Sequence, residues 1–156
     1  MTVLAALCEG DKAPPFSLPA DGGGRVSLAG FRGRKLALYF YPKADTEGCT
    51  AEALEFSALA RAFARAGTDI LGVSADPVAR LDAFKRKHKL AIALASDETL
   101  QVLRSYGVWV EKSMYGRKFM GIVRTTYLIG PDGKVQKRWD NVKVDGHTDE
   151  VLGALS

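Results

Sequence analysis

Cys49 stands where a helical pattern begins, in the run Tyr39-Phe40-Tyr41-Pro42-Lys43-Ala44-Asp45-Thr46-Glu47-Gly48-Cys49-Thr50-Ala51-Glu52. An apolar stretch enters a polar loop, and the cysteine falls at the helix start. The first N–H groups of a helix lack intrahelical partners and carry partial positive charge. A thiolate placed there is stabilised and available as a nucleophile. If its target is a peroxide, the sulfur attacks one oxygen while negative charge builds on the other. Such a site needs fixed hydrogen-bond donors and a permanent cation beside the sulfur. Thr46 can aim a hydroxyl at that point, and the Gly48 and Cys49 amides can point there too, the glycine allowing close backbone approach. Pro42 ends the strand without a competing N–H and can shield the sulfur from bulk water. Arg124 supplies a cation whose fork can hold both thiolate and peroxide oxygen. Singly, each has an ordinary explanation: an inert buried cysteine, a helix-capping threonine, a surface arginine. Glu52 and Glu55, in the opening turns of the helix, are accounted for by the helix dipole.

The elements that must position these residues follow from periodicity and breakers. Pro14 to Pro19 and Arg25 to Leu28, joined by Asp21-Gly22-Gly23-Gly24, read as an N-terminal hairpin. Lys35 to Tyr41 is a buried-type strand, and Cys49 to Ala66 a helix with Phe56, Leu59 and Phe63 on one face, ended by Gly67. Asp69 to Ser74 is a second core strand. Asp76 is the expected N-cap of a helix opened by Pro77 and carrying Val78, Leu81 and Phe84. Ile92 to Ala95 is a short strand, and Asp97 caps a helix through Tyr106. Trp109 to Met120 reads as an inserted loop. Arg124 to Ile129 and Lys134 to Trp139 form an antiparallel hairpin around Pro131-Asp132-Gly133, and Thr148 to Leu155 is a helix. Alternating strands and helices imply a sheet covered on both faces. With the final hairpin and helix, the class is α/β: a thioredoxin-like fold with an N-terminal β-hairpin extension and a central mixed sheet flanked by helices. Cys49 then lies at the C-terminal edge of the sheet, where open α/β sheets place their sites.

Composition agrees with one domain over 1–156. The chain has 156 residues, 47% hydrophobic and 26% charged, with net charge +4 from 22 basic and 18 acidic residues. Its one basic cluster, Lys85-Arg86-Lys87-His88-Lys89, ends a helical pattern, where cations are favoured, and nothing else suggests nucleic acid. Thr2 to Leu7 is apolar but lacks a basic flank and a small residue before Cys8, so no signal peptide is expected. No stretch approaches the ~20 apolar residues that span a bilayer. A cytoplasmic setting is expected, where thiols serve catalysis more often than structural disulfides. The two cysteines, Cys8 and Cys49, and the separated His88 and His147 offer no metal-site spacing.

Pro42, Thr46 and Cys49 read Pro-x-x-x-Thr-x-x-Cys, which resembles the peroxiredoxin active-site motif. Arg124-Thr125-Thr126-Tyr127-Leu128-Ile129 resembles the arginine-bearing strand of that family. More narrowly, the chain is similar to the bacterioferritin comigratory protein, or peroxiredoxin Q, subfamily. Supporting stretches are Gly10 to Phe16, Tyr39 to Lys43, Ser96-Asp97-Glu98, Tyr106 to Trp109, Gly130 to Lys134 and Val142 to His147. The resemblance implies that Cys49 is the peroxidatic cysteine, oxidised to a sulfenic acid. It implies that Thr46 and Arg124 orient the peroxide and that Pro42 limits solvent access. Substrates would be hydrogen peroxide and organic hydroperoxides, and the reductant thioredoxin or another thiol. It implies no metal, haem or flavin, no nucleic acid or membrane partner, and a monomer or weak homodimer.

The chain departs from the subfamily in two places. Where many members carry a resolving cysteine five positions after the first, it has Leu54, and Leu81 to Lys89 has no cysteine either. Glu47 replaces the usual proline before Gly48. A one-cysteine cycle completed by an external thiol is then expected; Cys8 as resolving residue, within the chain or from a second subunit, and Cys8 as an incidental N-terminal residue are the alternatives. A thioredoxin-type oxidoreductase would need a second cysteine where Glu52 stands, and a glutathione peroxidase-like enzyme would lack the Thr46–Cys49 spacing with Arg124. A peroxide sensor or redox-regulated chaperone using Cys49 is the alternative in another class.

Overall fold

The run Leu36-Ala37-Leu38-Tyr39-Phe40 is apolar without interruption, the pattern of a strand covered on both faces. In the computed structural model, which describes residues 7–155, it forms the centre of the sheet as β3 (Lys35–Phe40), with every one of these residues buried. The reading of the N-terminal segment as no signal peptide falls on residues outside those described, apart from Leu7. Around β3 the sheet order is β5 (Ala93–Ser96), β4 (Thr68–Ser74), β3, β8 (Thr125–Ile129), β9 (Val135–Trp139). β3 pairs parallel with β4 and antiparallel with β8, so Tyr39 lies between Gly72 and Thr126.

Side chains alternate across the sheet. Leu36, Leu38, Phe40, Tyr127 and Ile129 face one core, with Phe16, Leu103 and Tyr106. Ala37, Tyr39, Tyr41 and Leu128 face the other, under Cys49, Phe56 and Phe63, with Phe84 and Val151. Gly72 is needed for this second layer: a Cβ there would sit 2.7 Å from the Tyr39 ring. That ring in turn stacks on Phe56 of the helix above, centroids 4.5 Å apart.

β1 (Ser17–Pro19) and β2 (Arg25–Ser27) pair antiparallel as the expected N-terminal hairpin. Elsewhere the structure corrects the sequence. The helix expected over 49–66 is two, α1 (Glu47–Ala58) and α2 (Ala60–Arg65), meeting at Leu59. Pro77, not Asp76, is the N-cap of α3 (Val78–His88). The Asp76 carboxylate instead accepts the Ala44 N–H and the Ser74 hydroxyl, both at 2.8 Å, tying the loop after β3 to the end of β4. The α-helical part of the 97–106 segment is only α4 (Gln101–Ser105), although Asp97 still accepts the Leu103 N–H. The C-terminal helix α5 is His147–Gly153.

The largest difference is the segment expected as an inserted loop. It is a hairpin, β6 (Trp109–Met114) and β7 (Arg117–Ile122), closed by Tyr115-Gly116. Both turn residues have positive φ, 52° and 77°, as a two-residue hairpin turn requires. The hairpin forms its own two-stranded sheet and leaves Met114, Tyr115, Phe119 and Met120 exposed, so its strands lack the alternation that marks a half-buried strand.

Candidate active site

β3 delivers the chain to Tyr41, whose N–H bonds to the Val73 carbonyl, and the polar loop then turns back into α1. Two anchors fix that turn. Asp76 holds the Ala44 amide. Asp45, in the left-handed region with φ 64°, presents its carboxylate to Lys87 and His88, both at 2.9 Å. Those hydrogen bonds hold the Asp45 carboxyl below its ordinary range. The basic cluster that ends α3 therefore does more than complement a helix dipole: Lys87 and His88 clamp the site loop, and Lys85 reaches Asp21 at 2.7 Å.

Thr46 is the N-cap of α1 in position but does not cap with its side chain. Its hydroxyl donates to the Lys43 carbonyl at 2.8 Å, which leaves the oxygen's lone pairs to accept a proton-bearing substrate oxygen. The first intrahelical bond runs from Thr50 N to Thr46 O, so the Gly48 and Cys49 amides precede it and belong to the positive opening turn. Cys49 is only 1% exposed.

Arg124 comes from across the sheet, one residue before β8, with its carbonyl held by the Val142 N–H. Its Nη2 lies 3.4 Å from Cys49 Sγ and its Nη1 donates to Glu52 Oε1 at 2.7 Å. Gly48 makes room for it: a Cβ there would sit 3.2 Å from Arg124 Nη2. Pro42 is exposed and lines a shallow pocket with Lys112, Val123, Arg124, Asn141 and Val142. The structure thus joins Cys49 to Arg124 directly, places Pro42 at the rim beside Arg124, and turns the Thr46 hydroxyl proton onto the loop backbone.

Glu52 is the residue that sequence reasoning assigned wrongly. The helix dipole does not account for it: it is fully buried, and its Oε2 has no hydrogen-bond partner among the described residues. Burial lifts its carboxyl to about 7, against the pull of Arg124. The signal was its spacing, since a residue three after Cys49 shares its helix face. Because the folded carboxyl binds its proton more tightly than an unfolded one near 4.5, stability is full below that value and is lost as pH rises through about 7. The lost contribution is on the order of 3 kcal/mol. In urea unfolding between about pH 5 and about pH 8, the wild type should weaken relative to Glu52→Gln as pH rises; parallel profiles would rule this titration out.

Residues 9–138 match the AhpC/TSA family. The chain belongs to that family. Among similar proteins, the putative peroxiredoxin bcp of Coxiella burnetii is 47% identical over 146 residues, covering 94% of this chain and 97% of that one. Peroxiredoxin Bcp of Escherichia coli K12 is 43% identical over 149 residues, covering 96% of each. A solved structure of Xanthomonas campestris peroxiredoxin Q superimposes with a TM-score of 0.86 at 45% identity, covering 90% of this chain and 89% of that one. The chain is thus a thiol peroxidase of the Bcp/peroxiredoxin Q group with the thioredoxin-like fold expected of it. Among the described residues no helix is long and apolar enough to cross a membrane.

Proposed function

We propose that Cys49 reduces hydrogen peroxide and organic hydroperoxides in a one-cysteine cycle, with Arg124, Thr46 and Pro42 shaping the reaction. The observation that carries this is the Arg124 fork, one arm 3.4 Å from the sulfur and the other fixed by buried Glu52. A cation held so firmly needs no reorganisation when charge develops. The Cys49 thiolate attacks the terminal peroxide oxygen. An S–O bond forms, the O–O bond breaks, and the leaving oxygen takes the bonding pair and a proton to depart as water or an alcohol. Arg124 and the Gly48 and Cys49 amides stabilise the charge in passage, Thr46 accepts from the peroxide O–H, and Pro42 screens the mouth. Two equivalents of an external thiol, thioredoxin or a similar donor, then convert the sulfenic acid to thiol, water and a disulfide of the donor.

The positions of the two cysteines support the external route. Leu7 packs on the core that contains Tyr127 and Val135, while Cys49 belongs to the core on the opposite face. Gly10 is bonded to Val135 and the Leu7 carbonyl to Arg138, so the chain around Cys8 follows the β9 edge. A disulfide needs Cα atoms within about 7 Å, whereas layers packed on a sheet are separated by more than that. Cys8→Ser should therefore keep turnover with a thiol donor within about twofold of the wild type. A stalled Cys49 sulfenic acid in that variant would refute the one-cysteine route. A reducing, cytoplasmic setting suits such a cycle, as does a monomer or weak homodimer whose site stays open to the donor.

A further inference from the structure

The β6–β7 hairpin brings a second cation to the mouth of the site. Lys112 sits in β6 opposite Phe119. Its stem lies across Gly121 of β7, where a Cβ would stand 3.3 Å from Lys112 Cδ and 3.5 Å from Cε. Its ammonium donates to the Ile122 carbonyl. Thus placed, it lines the pocket it shares with Arg124, Pro42 and Asn141.

The six lining residues of that pocket are two cations, one amide, a proline and two valines, with no carboxylate among them. Arg124 is already paired with Glu52, and the other nearby acids are engaged elsewhere, Glu111 with Lys118 and Asp140 with Arg138, so Lys112 is the lining cation without a carboxylate partner among the described residues. Burial and the facing Arg124 both depress the Lys112 ammonium, and the Cys49 sulfur pulls the other way. Arg124 is committed to Glu52 and the Cys49 sulfur, whereas the Lys112 ammonium meets only a backbone carbonyl, so an anion at the pocket mouth gains a charge-assisted hydrogen bond from Lys112.

We propose that Lys112, with Asn141 beside it, is a substrate-positioning residue that seats a carboxylate on the organic part of a hydroperoxide while Arg124 and Cys49 take its O–O group. The proposal rests on the peroxidase reading of Cys49. It makes carboxylate-bearing alkyl hydroperoxides better substrates than neutral ones of the same size, because the far end of the molecule holds the near end in line.

The test is a single-turnover measurement without reductant, reading Cys49 oxidation by rapid quench and mass spectrometry. The probes are one alkyl hydroperoxide carrying a carboxylate, its methyl ester, and hydrogen peroxide. Wild type should oxidise faster with the carboxylate than with the ester, an advantage that shrinks as ionic strength rises. Lys112→Met should cut the carboxylate-to-ester rate ratio by about fivefold or more, and Lys112→Arg should keep most of it. If hydrogen peroxide oxidises Cys49 but the ratio is the same in wild type and Lys112→Met, or does not respond to salt, the proposal fails while the peroxidase reading stands. If none of the three probes oxidises Cys49 in the wild type, the peroxidase reading fails and the subsite with it.

Discussion

Cys49→Ser is expected to lower peroxide consumption in the presence of a thiol donor by at least ~10³-fold while leaving the fold intact. A serine hydroxyl at this position stays protonated at neutral pH and is a poor nucleophile toward oxygen, so the chemistry stops at its first step. The fold survives because the change is nearly isosteric and an oxygen can still accept from Arg124 Nη2, which now lies 3.4 Å from the sulfur. Circular dichroism and the unfolding midpoint check the fold, and residual turnover comparable to wild type would remove Cys49 from the mechanism.

Arg124→Ala should slow the oxidation of Cys49 by about 10²-fold, the usual consequence of removing a fixed donor from developing negative charge. It should also destabilise the protein, because Glu52 loses its only described partner while fully buried. The two effects separate in a double variant. Adding Glu52→Gln to Arg124→Ala replaces a buried carboxyl that must either hold its proton or bury a charge with a neutral amide, and should restore part of the stability, most visibly at alkaline pH, yet the oxidation rate should stay low. Arg124→Lys should fall between, since one ammonium cannot span the sulfur and the Glu52 carboxylate as Nη2 and Nη1 do. Rate and stability recovering together in the double variant would mean that Arg124 serves the fold and not the reaction.

These expectations rest on geometry that the sequence disclosed unevenly. The uninterrupted apolar run of β3 identified the central strand, and the breakers around it placed Cys49 at a helix start. Arg124 opened a second apolar run, and the antiparallel pairing of β3 with β8 is what carries it to the sulfur. Glu52 carried a weaker signal. A carboxylate near a helix N-terminus already has a sufficient local explanation; its spacing from Cys49 hinted at a shared face, but its partner is an arginine 72 residues away. The clamp on Asp45 was hidden for the same reason, its partners lying 42 and 43 residues downstream in a cluster that a helix dipole explains. The β6–β7 hairpin escaped because it stands apart from the main sheet. With Met114, Phe119 and Met120 exposed, nothing imposes alternation on its strands, and only the Tyr115-Gly116 pair marks the turn.

The central claim is that Cys49 alone takes the peroxide oxygen and holds it until an outside thiol arrives. The measurement that bears on it most directly is the intact mass of the wild type after one equivalent of hydrogen peroxide without reductant, followed by peptide mapping with a sulfenic-acid reagent. A rapid gain of one oxygen, mapped to Cys49, is the predicted result. A loss of two hydrogens, a dimer linked through Cys8, or no reaction at Cys49 would contradict it.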